Sequence, residues 1–337
     1  MQFVDIMSLL KYAIEHHASD VHLSANMPPI VRIDGDLQKV DGQPAISNDE
    51  LLASLEAIIP QKQFALLKSQ FEIDFSLALP KLARFRVNIF QQMEGLAAVF
   101  RIIPFKISTL EELNLPPILK ELCVLPNGIV LVTGPTGCGK STTLAAMVDY
   151  INHQWPRHIL TLEDPIEFVH HSEKCLIQQR EIHQHSASFN DALRAALRED
   201  PNVILVGEMR DIETIRLALT AAETGHLVFA TLHTSSSAKT INRVVDVFPT
   251  GEKELVRTLL AESLQAVVAQ TLLKKKGGGR VAACEILLST PAVRNLIREN
   301  KIPQIESILQ TGQSKGMRTM EQSVKELMIQ GIIEKDQ

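Results

Sequence analysis

GIVLVTGPTGCGKSTTLAAM (128–147) reads as an apolar strand, a glycine-rich turn and the start of a helix. The turn GPTGCGKS (134–141) fits GxxxxGK[ST] in full, in the strand–loop–helix setting that gives the pattern its meaning. Gly134, Gly137 and Gly139 let the backbone curl so that its amides face a phosphate. The helix start adds further amides and a positive dipole end. Lys140 is placed to reach the β- and γ-phosphates, and the Ser141 hydroxyl to ligate Mg²⁺. The expected nucleotide contacts are therefore Gly134, Pro135, Thr136, Gly137, Cys138, Gly139, Lys140, Ser141 and Thr142. Cys138 takes a variable position of the pattern and reads as a space-filler rather than a nucleophile.

Downstream, HILTLE (158–163), VILVGE (203–208) and LVFATLH (227–233) are nearly continuous apolar runs, as expected of parallel strands covered on both faces. Helical stretches lie between them. FNDALRAALRED follows a Ser188 cap, and DIETIRLALTAAETG runs from Asp211 to the stop residue Gly225. This half is expected to be an α/β domain with a mostly parallel sheet. Ligands of such sheets sit beyond the carboxyl ends of the strands. Glu163, Glu208 and His233 end three of these strands and should converge on the phosphate loop. Most phosphate-loop proteins place an Asp near the end of the third strand, but here Gly207 precedes Glu208. Glu163 is assigned as the base that orients an attacking water, and Glu208 as a magnesium ligand acting through water. These two roles could be exchanged. His233 would sense the γ-phosphate, whereas His226, at the other end of its strand, should pack or meet a neighbour. Phosphoryl transfer also wants a cation on the γ-phosphate. The candidates are Arg194 and Arg198, read as i,i+4 on one helix, and Arg86 and Arg101 on strands of the first half, presented in trans.

The first half mixes helix and strand. LLASLEAII is helical, PIVRIDGDLQKV carries a hairpin signal at Asp34-Gly35-Asp36, and AAVFRIIP is an apolar strand. ARFRVNIF alternates, with Phe85, Val87 and Ile89 on one face and Arg84, Arg86 and Asn88 on the other. PFKISTLEELNLPP (104–117), with three prolines, reads as a linker. The expected division is 1–103, a linker at 104–117, and 118–337. The length of 337 residues is consistent with two domains. KKKGGGR (274–280) reads as a basic turn between a helix and a strand.

Composition narrows the class. With 45% hydrophobic and 22% charged residues the chain is an ordinary globular protein. The longest charge-free apolar stretch, LCVLPNGIVLVTGPTGCG (122–139), is broken by two prolines and four glycines and cannot span a membrane. No signal peptide is read at the start. Cys123, Cys138, Cys175 and Cys284 are scattered, with no CxxC pair, which argues against a zinc module and a disulfide scaffold. A net charge of -5 and the lack of basic–aromatic interleaving argue against nucleic acid as a partner.

The motifs together resemble the secretion-ATPase superfamily, and within it the ATPases that retract type IV pili in twitching motility. ASDVHLSANMPPIVRIDGDL (18–37) resembles the superfamily's N-terminal domain signature, and GPTGCGKSTTLAAM its Walker A stretch. TLEDPIEF matches its aspartate box, REDPNVILVGEMRD its Walker B region, and GHLVFATLHTSSSA its histidine box. AVRNLIRE (292–299) is similar to the AIRNLIRE element of retraction members. The resemblance implies a RecA-like P-loop NTPase domain preceded by a smaller α+β PAS-like domain. It implies ATP as substrate with Mg²⁺, and a homohexamer at the cytoplasmic face of the inner membrane. The implied partners are the pilus platform protein and a paralogous retraction ATPase, with membrane association only through partners. An accessory retraction paralogue or a secretion-system ATPase is the alternative within the same class.

Overall fold

The computed structural model describes residues 5–79, 83–103 and 106–334. It divides into two compact units, Met1–Lys106 and Ile107–Gln337. The first comprises α1 (Ile6–Glu15), β1 (Asp20–Ser24), β2 (Ile30–Ile33), β3 (Asp36–Lys39), α2 (Asn48–Glu56), α3 (Gln61–Gln70), β4 (Glu72–Leu79), β5 (Ala83–Gln92) and β6 (Gly95–Ile103). Its sheet has the order β3-β2-β1-β6-β5-β4, and every neighbouring pair is antiparallel. Alternation places Phe85, Val87 and Ile89 in the core with Phe100 and Leu23, under Leu10 of α1 and Leu51 and Leu55 of α2. The hairpin at Asp34-Gly35 is as expected: both residues have positive φ, 51° and 99°, as a two-residue primed turn requires.

The second unit contains α4 (Ile118–Val124), β7 (Gly128–Thr133), α5 (Lys140–Gln154), β8 (His158–Glu163), β9 (Leu176–Glu181), α6 (Phe189–Ala196), β10 (Val203–Val206), α7 (Ile212–Glu223), β11 (Leu227–Leu232), α8 (Ser237–Asp246) and α9 (Lys253–Ser263). β12 (Leu264–Lys274), β13 (Arg280–Leu288), α10 (Pro291–Arg298), α11 (Ile305–Thr311) and α12 (Met320–Ile329) follow. The sheet order is β13-β12-β7-β11-β10-β8-β9, parallel throughout except for the β12–β13 pair. Two cores flank it. On β7, Ile129 and Leu131 join one with α6 to α9, while Val130 and Val132 join the other with α4 and α5. The continuous apolar runs are therefore period-two strands whose two faces are both covered.

Three features differ from the sequence reading. From Ile107 onward the stretch expected as a linker belongs to the second unit, and Leu110 and Leu115 are buried in its core. Pro104 and Phe105 lie outside the described residues. β9, β12 and β13 are additional strands. β12 begins at the residue after α9, with no glycine or proline between them to mark the change. The basic run 274–280 thus joins two strands, through Gly277, Gly278 and Gly279 at positive φ. Among the described residues, no helix is long and apolar enough to cross a membrane. The four cysteines are free and buried.

Candidate nucleotide site

The loop after β7 has the backbone that the glycine pattern demands. Gly134, Gly137 and Gly139 have φ of 140°, 79° and 89°. A Cβ on Gly134 would lie 2.3 Å from the Gln270 carbonyl oxygen and 2.6 Å from Cys138 Sγ. That close approach requires glycine. Pro135, Thr136 and Gly137 are exposed at the tip, while Cys138 turns inward and is buried; burial pushes its thiol pKa up. Cys138 thus packs beneath the loop, and only its backbone is available to a phosphate. Lys140 opens α5, nearly buried, and its Nζ donates to the carbonyls of Gly134 (2.9 Å) and Pro135 (3.1 Å). Ser141 and Thr142 sit half-buried in the same first turn.

A residue that sequence reasoning missed anchors this loop from below. Gln270, on β12 and fully buried, donates from Nε2 to the Cys138 carbonyl (2.7 Å) and accepts from Thr143 Oγ1 (3.1 Å). Its contacts lie 132 and 127 residues away in the chain, so no local signal could have found it.

Glu163 ends β8 beside the loop. It lines a cleft of about 40 Å³ together with Ser141, Leu144, Phe168, His170, Gly207 and Thr231. Burial pushes its carboxyl up to about 7, against hydrogen bonds from Thr161 and Gln179 that pull it down. Thr161 Oγ1 donates to Oε1 at 2.6 Å and Gln179 Nε2 at 3.2 Å. A carboxyl titrating near neutrality suits a base that takes a proton from water. Gly207 is explained here as well: a Cβ would lie 3.1 Å from the Leu162 oxygen and 3.3 Å from Glu163 Cα. The glycine that stands before Glu208 therefore leaves room for Glu163. His170 is kept neutral, its pKa pushed down to about 4 by burial. Its Nδ1 has no hydrogen-bond partner among the described residues.

Glu208 lies two residues past β10, where its Oε1 meets His233 Nε2 at 3.0 Å and its Oε2 meets Arg210 at 2.7 Å. Partial burial pushes the Glu208 carboxyl up, but Arg210 and His233 outweigh it, and the net shift is downward. Arg210 was not singled out in the sequence, although it stands two residues from Glu208. Among the described residues no three His, Cys, Asp or Glu groups are placed to hold a metal ion. A cation here would take most of its shell from phosphate and water. This fits Mg²⁺, which keeps several waters and needs only one or two protein oxygens; the Ser141 hydroxyl would be a direct one and Glu208 would act through water.

The remaining candidates are dispersed. Arg194 lies on α6, where it is ion-paired to Glu213 at 2.6 Å. Arg198 is not on that helix: α6 ends at Ala196, and the Arg198 amide donates to Ala195 in the following turn. The i,i+4 pairing is therefore corrected, because the helix stops one turn early before Asp200, which has positive φ (53°), and Pro201. Arg86 and Arg101 face each other across β5 and β6, on the polar side of the first unit's sheet. Arg86 is ion-paired to Asp74 (2.9 Å) and Arg101 to the buried Asp20 (2.8 Å). His226 Nδ1 lies 3.0 Å from the Ala221 carbonyl at the end of α7, away from the phosphate end of the sheet.

A phosphate loop after an interior strand of a mostly parallel sheet, with carboxylates at or just past the ends of β8 and β10, defines a P-loop nucleotide-binding protein. Sequence comparison narrows this: the chain belongs to the family described as Type II/IV secretion system protein, matched over residues 3–337. It is 56% identical over 333 residues to the type IV pilus retraction ATPase PilT of Pseudomonas aeruginosa, covering 99% of this chain and 96% of that one. It is 57% identical over 329 residues to a twitching motility protein of Neisseria gonorrhoeae, covering 97% and 88%. Among solved structures, the pilus retraction motor PilT with bound ADP superposes with a TM-score of 0.90. It is 46% identical, covering 100% of this chain and 96% of that one.

Proposed function

We infer that this chain is an ATPase that powers type IV pilus retraction as a subunit of a homohexameric ring. The observation that carries the reading is the shared cleft of Ser141, on the phosphate-loop helix, and Glu163, at the end of β8. The loop amides and Lys140 hold the triphosphate. Glu163, titrating near neutrality, accepts a proton from the attacking water. Glu208, which contacts Arg210 and His233, orders the outer shell of the cation, and His233 is the candidate that senses the γ-phosphate. Mg²⁺, when bound, neutralises charge developing on the phosphates. Arg86 and Arg101, with Arg194 and Arg198, are the candidates for a cation supplied to a neighbouring subunit's nucleotide.

The ring would work at the cytoplasmic face of the inner membrane against the pilus platform protein, held at the membrane by its partners. Nucleotide binding and release would close and open successive subunit interfaces, each step limited by the differential affinity of ATP for the two states. A paralogous retraction ATPase is a further partner. The test is phosphate release by the purified chain, paired with pilus dynamics in a Lys140→Ala strain. Hydrolysis by the native chain, and variant pili that assemble but do not retract, are expected. Normal retraction in the variant strain would overturn the reading.

A further inference from the structure

Gln179, on the edge strand β9, makes three hydrogen bonds with one side-chain amide. Its Oε1 accepts from the His170 backbone N–H at 2.8 Å. Its Nε2 donates to the Phe168 carbonyl at 2.8 Å and to Glu163 Oε1 at 3.2 Å. The two backbone partners fix which way the amide points. An N–H demands the oxygen, a carbonyl demands the nitrogen, and a flipped amide would oppose both. The second N–H of Nε2 is therefore left to face Glu163, and Gln179 can meet that carboxylate only as a donor.

The consequence for Glu163 is directional. Oε1 takes two donors, from Thr161 and Gln179, and is saturated on its inner side. Among the described residues, Oε2 has only a long contact from the Glu167 amide, at 3.5 Å. Oε2 is thus the oxygen with lone pairs to spare for a water. The same amide ties down the cleft wall, since Phe168 and His170 line the space occupied by Ser141 and Glu163. Neighbouring bonds reinforce this. Glu181, buried at the end of β9, accepts from the Ile166 amide at 3.1 Å. Asn152 of α5 donates to the His171 carbonyl at 2.8 Å.

We propose that Gln179 is the positioning residue of the hydrolytic site, fixing the Glu163 carboxylate so that Oε2 faces the attacking water and holding Phe168 and His170 against it. This rests on Glu163 being the group that orients water. Gln179 touches neither nucleotide nor water in this scheme, so its loss should slow turnover without weakening nucleotide binding.

The experiment uses the full chain at concentrations where specific activity no longer rises. Phosphate release gives kcat and KM, and titration with ADP gives Kd, for Gln179→Leu, Gln179→Glu, Glu163→Gln and the double variant Glu163→Gln/Gln179→Leu. Gln179→Glu keeps the shape and the acceptor for His170 but removes the donor to Glu163, so it tests the bond if the leucine variant folds poorly. Each Gln179 variant is expected to lower kcat by about 10- to 100-fold, the scale of a misplaced reacting group, with ADP Kd within about twofold. In the Glu163→Gln background, Gln179→Leu should cost no more than about twofold, because its effect passes through the missing carboxylate. Three results overturn the proposal: kcat retained in both Gln179 variants, a loss of equal size in the Glu163→Gln background, or a loss confined to ADP affinity. Wild-type turnover in Glu163→Gln alone would remove the Glu163 reading and the proposal with it. A dead Glu163→Gln beside active Gln179 variants would remove the proposal only.

Discussion

Replacing Glu163 by Gln should make the protein more stable and nearly inactive at once. The carboxyl titrates at about 7 in the folded chain against an ordinary value of 4.5, because burial disfavours its charged form. The folded state therefore binds a proton between those values that the unfolded chain does not. Wild-type stability falls as pH rises from 4.5 through about 7, then levels off. The full shift corresponds to about 3 kcal/mol above pH 7, and to about 2 kcal/mol once the partial solvent access of the side chain is allowed for. Glutamine carries no such penalty, and its carbonyl can still accept from Thr161 and Gln179. The expected gain is about 2 kcal/mol at pH 8.5 and under about 1 kcal/mol at pH 5.5. Urea unfolding of the dilute chain measures it. Trp155 is the single tryptophan and packs edge-on against Tyr150 in the second unit, so its fluorescence follows that unit alone. Over the same substitution kcat should drop by about 10²- to 10⁴-fold, the usual worth of a positioned base. A gain that is equal at both pH values, or absent at pH 8.5, would refute the desolvation argument. Retained turnover would refute the assignment of the base.

Other perturbations test neighbouring parts of the site. Gln270→Leu leaves the Cys138 carbonyl and the Thr143 hydroxyl buried without their partner. This should cost about 1–3 kcal/mol for each group and weaken ADP binding about tenfold or more by calorimetry, whereas unchanged affinity would detach β12 from the loop's geometry. Gly207→Ala drives a Cβ to 3.1 Å from the Leu162 oxygen and against Glu163. It should lower stability by about 1–3 kcal/mol and reduce kcat more than it raises KM, and a fully active alanine variant would show that strand end to be compliant. Arg210→Ala removes the largest of the attractions that hold the Glu208 carboxyl down. The stabilisation from that carboxyl is present above its ordinary value of 4.5 and lost as pH falls through the lowered one. Because Arg210 is largely exposed, the variant should lose under about 1 kcal/mol at pH 7, and less in high salt, as read by the same urea titration.

Much of this protein is written in short-range pattern. Glycine spacing and the adjacent apolar run locate the phosphate loop. Period-two alternation in 83–90 assigns the buried face of β5, and apolar runs ending in Glu163, Glu208 and His233 place those groups at one edge of a parallel sheet. Each of these signals lies within one strand and the residues that follow it, so local sterics and burial are enough to read it. The helix ends at Ala196, earlier than its pattern suggests, because the apolar and charged pattern continues past the point where the backbone turns.

The supports of the site were decided only by the tertiary fold. Gln270 reaches the loop because β12 lies beside β7, and that pairing joins segments 127 residues or more apart. Gln179 meets Glu163 because β9 adds to β8 in parallel register. Gly207 is small because Glu163 lies against it across the strands. A glutamine or glycine inside a strand carries no local sign of what it will touch. Its hydrogen bonds and clearances come into being when distant segments align, and sheet register, not sequence neighbourhood, sets which atoms meet.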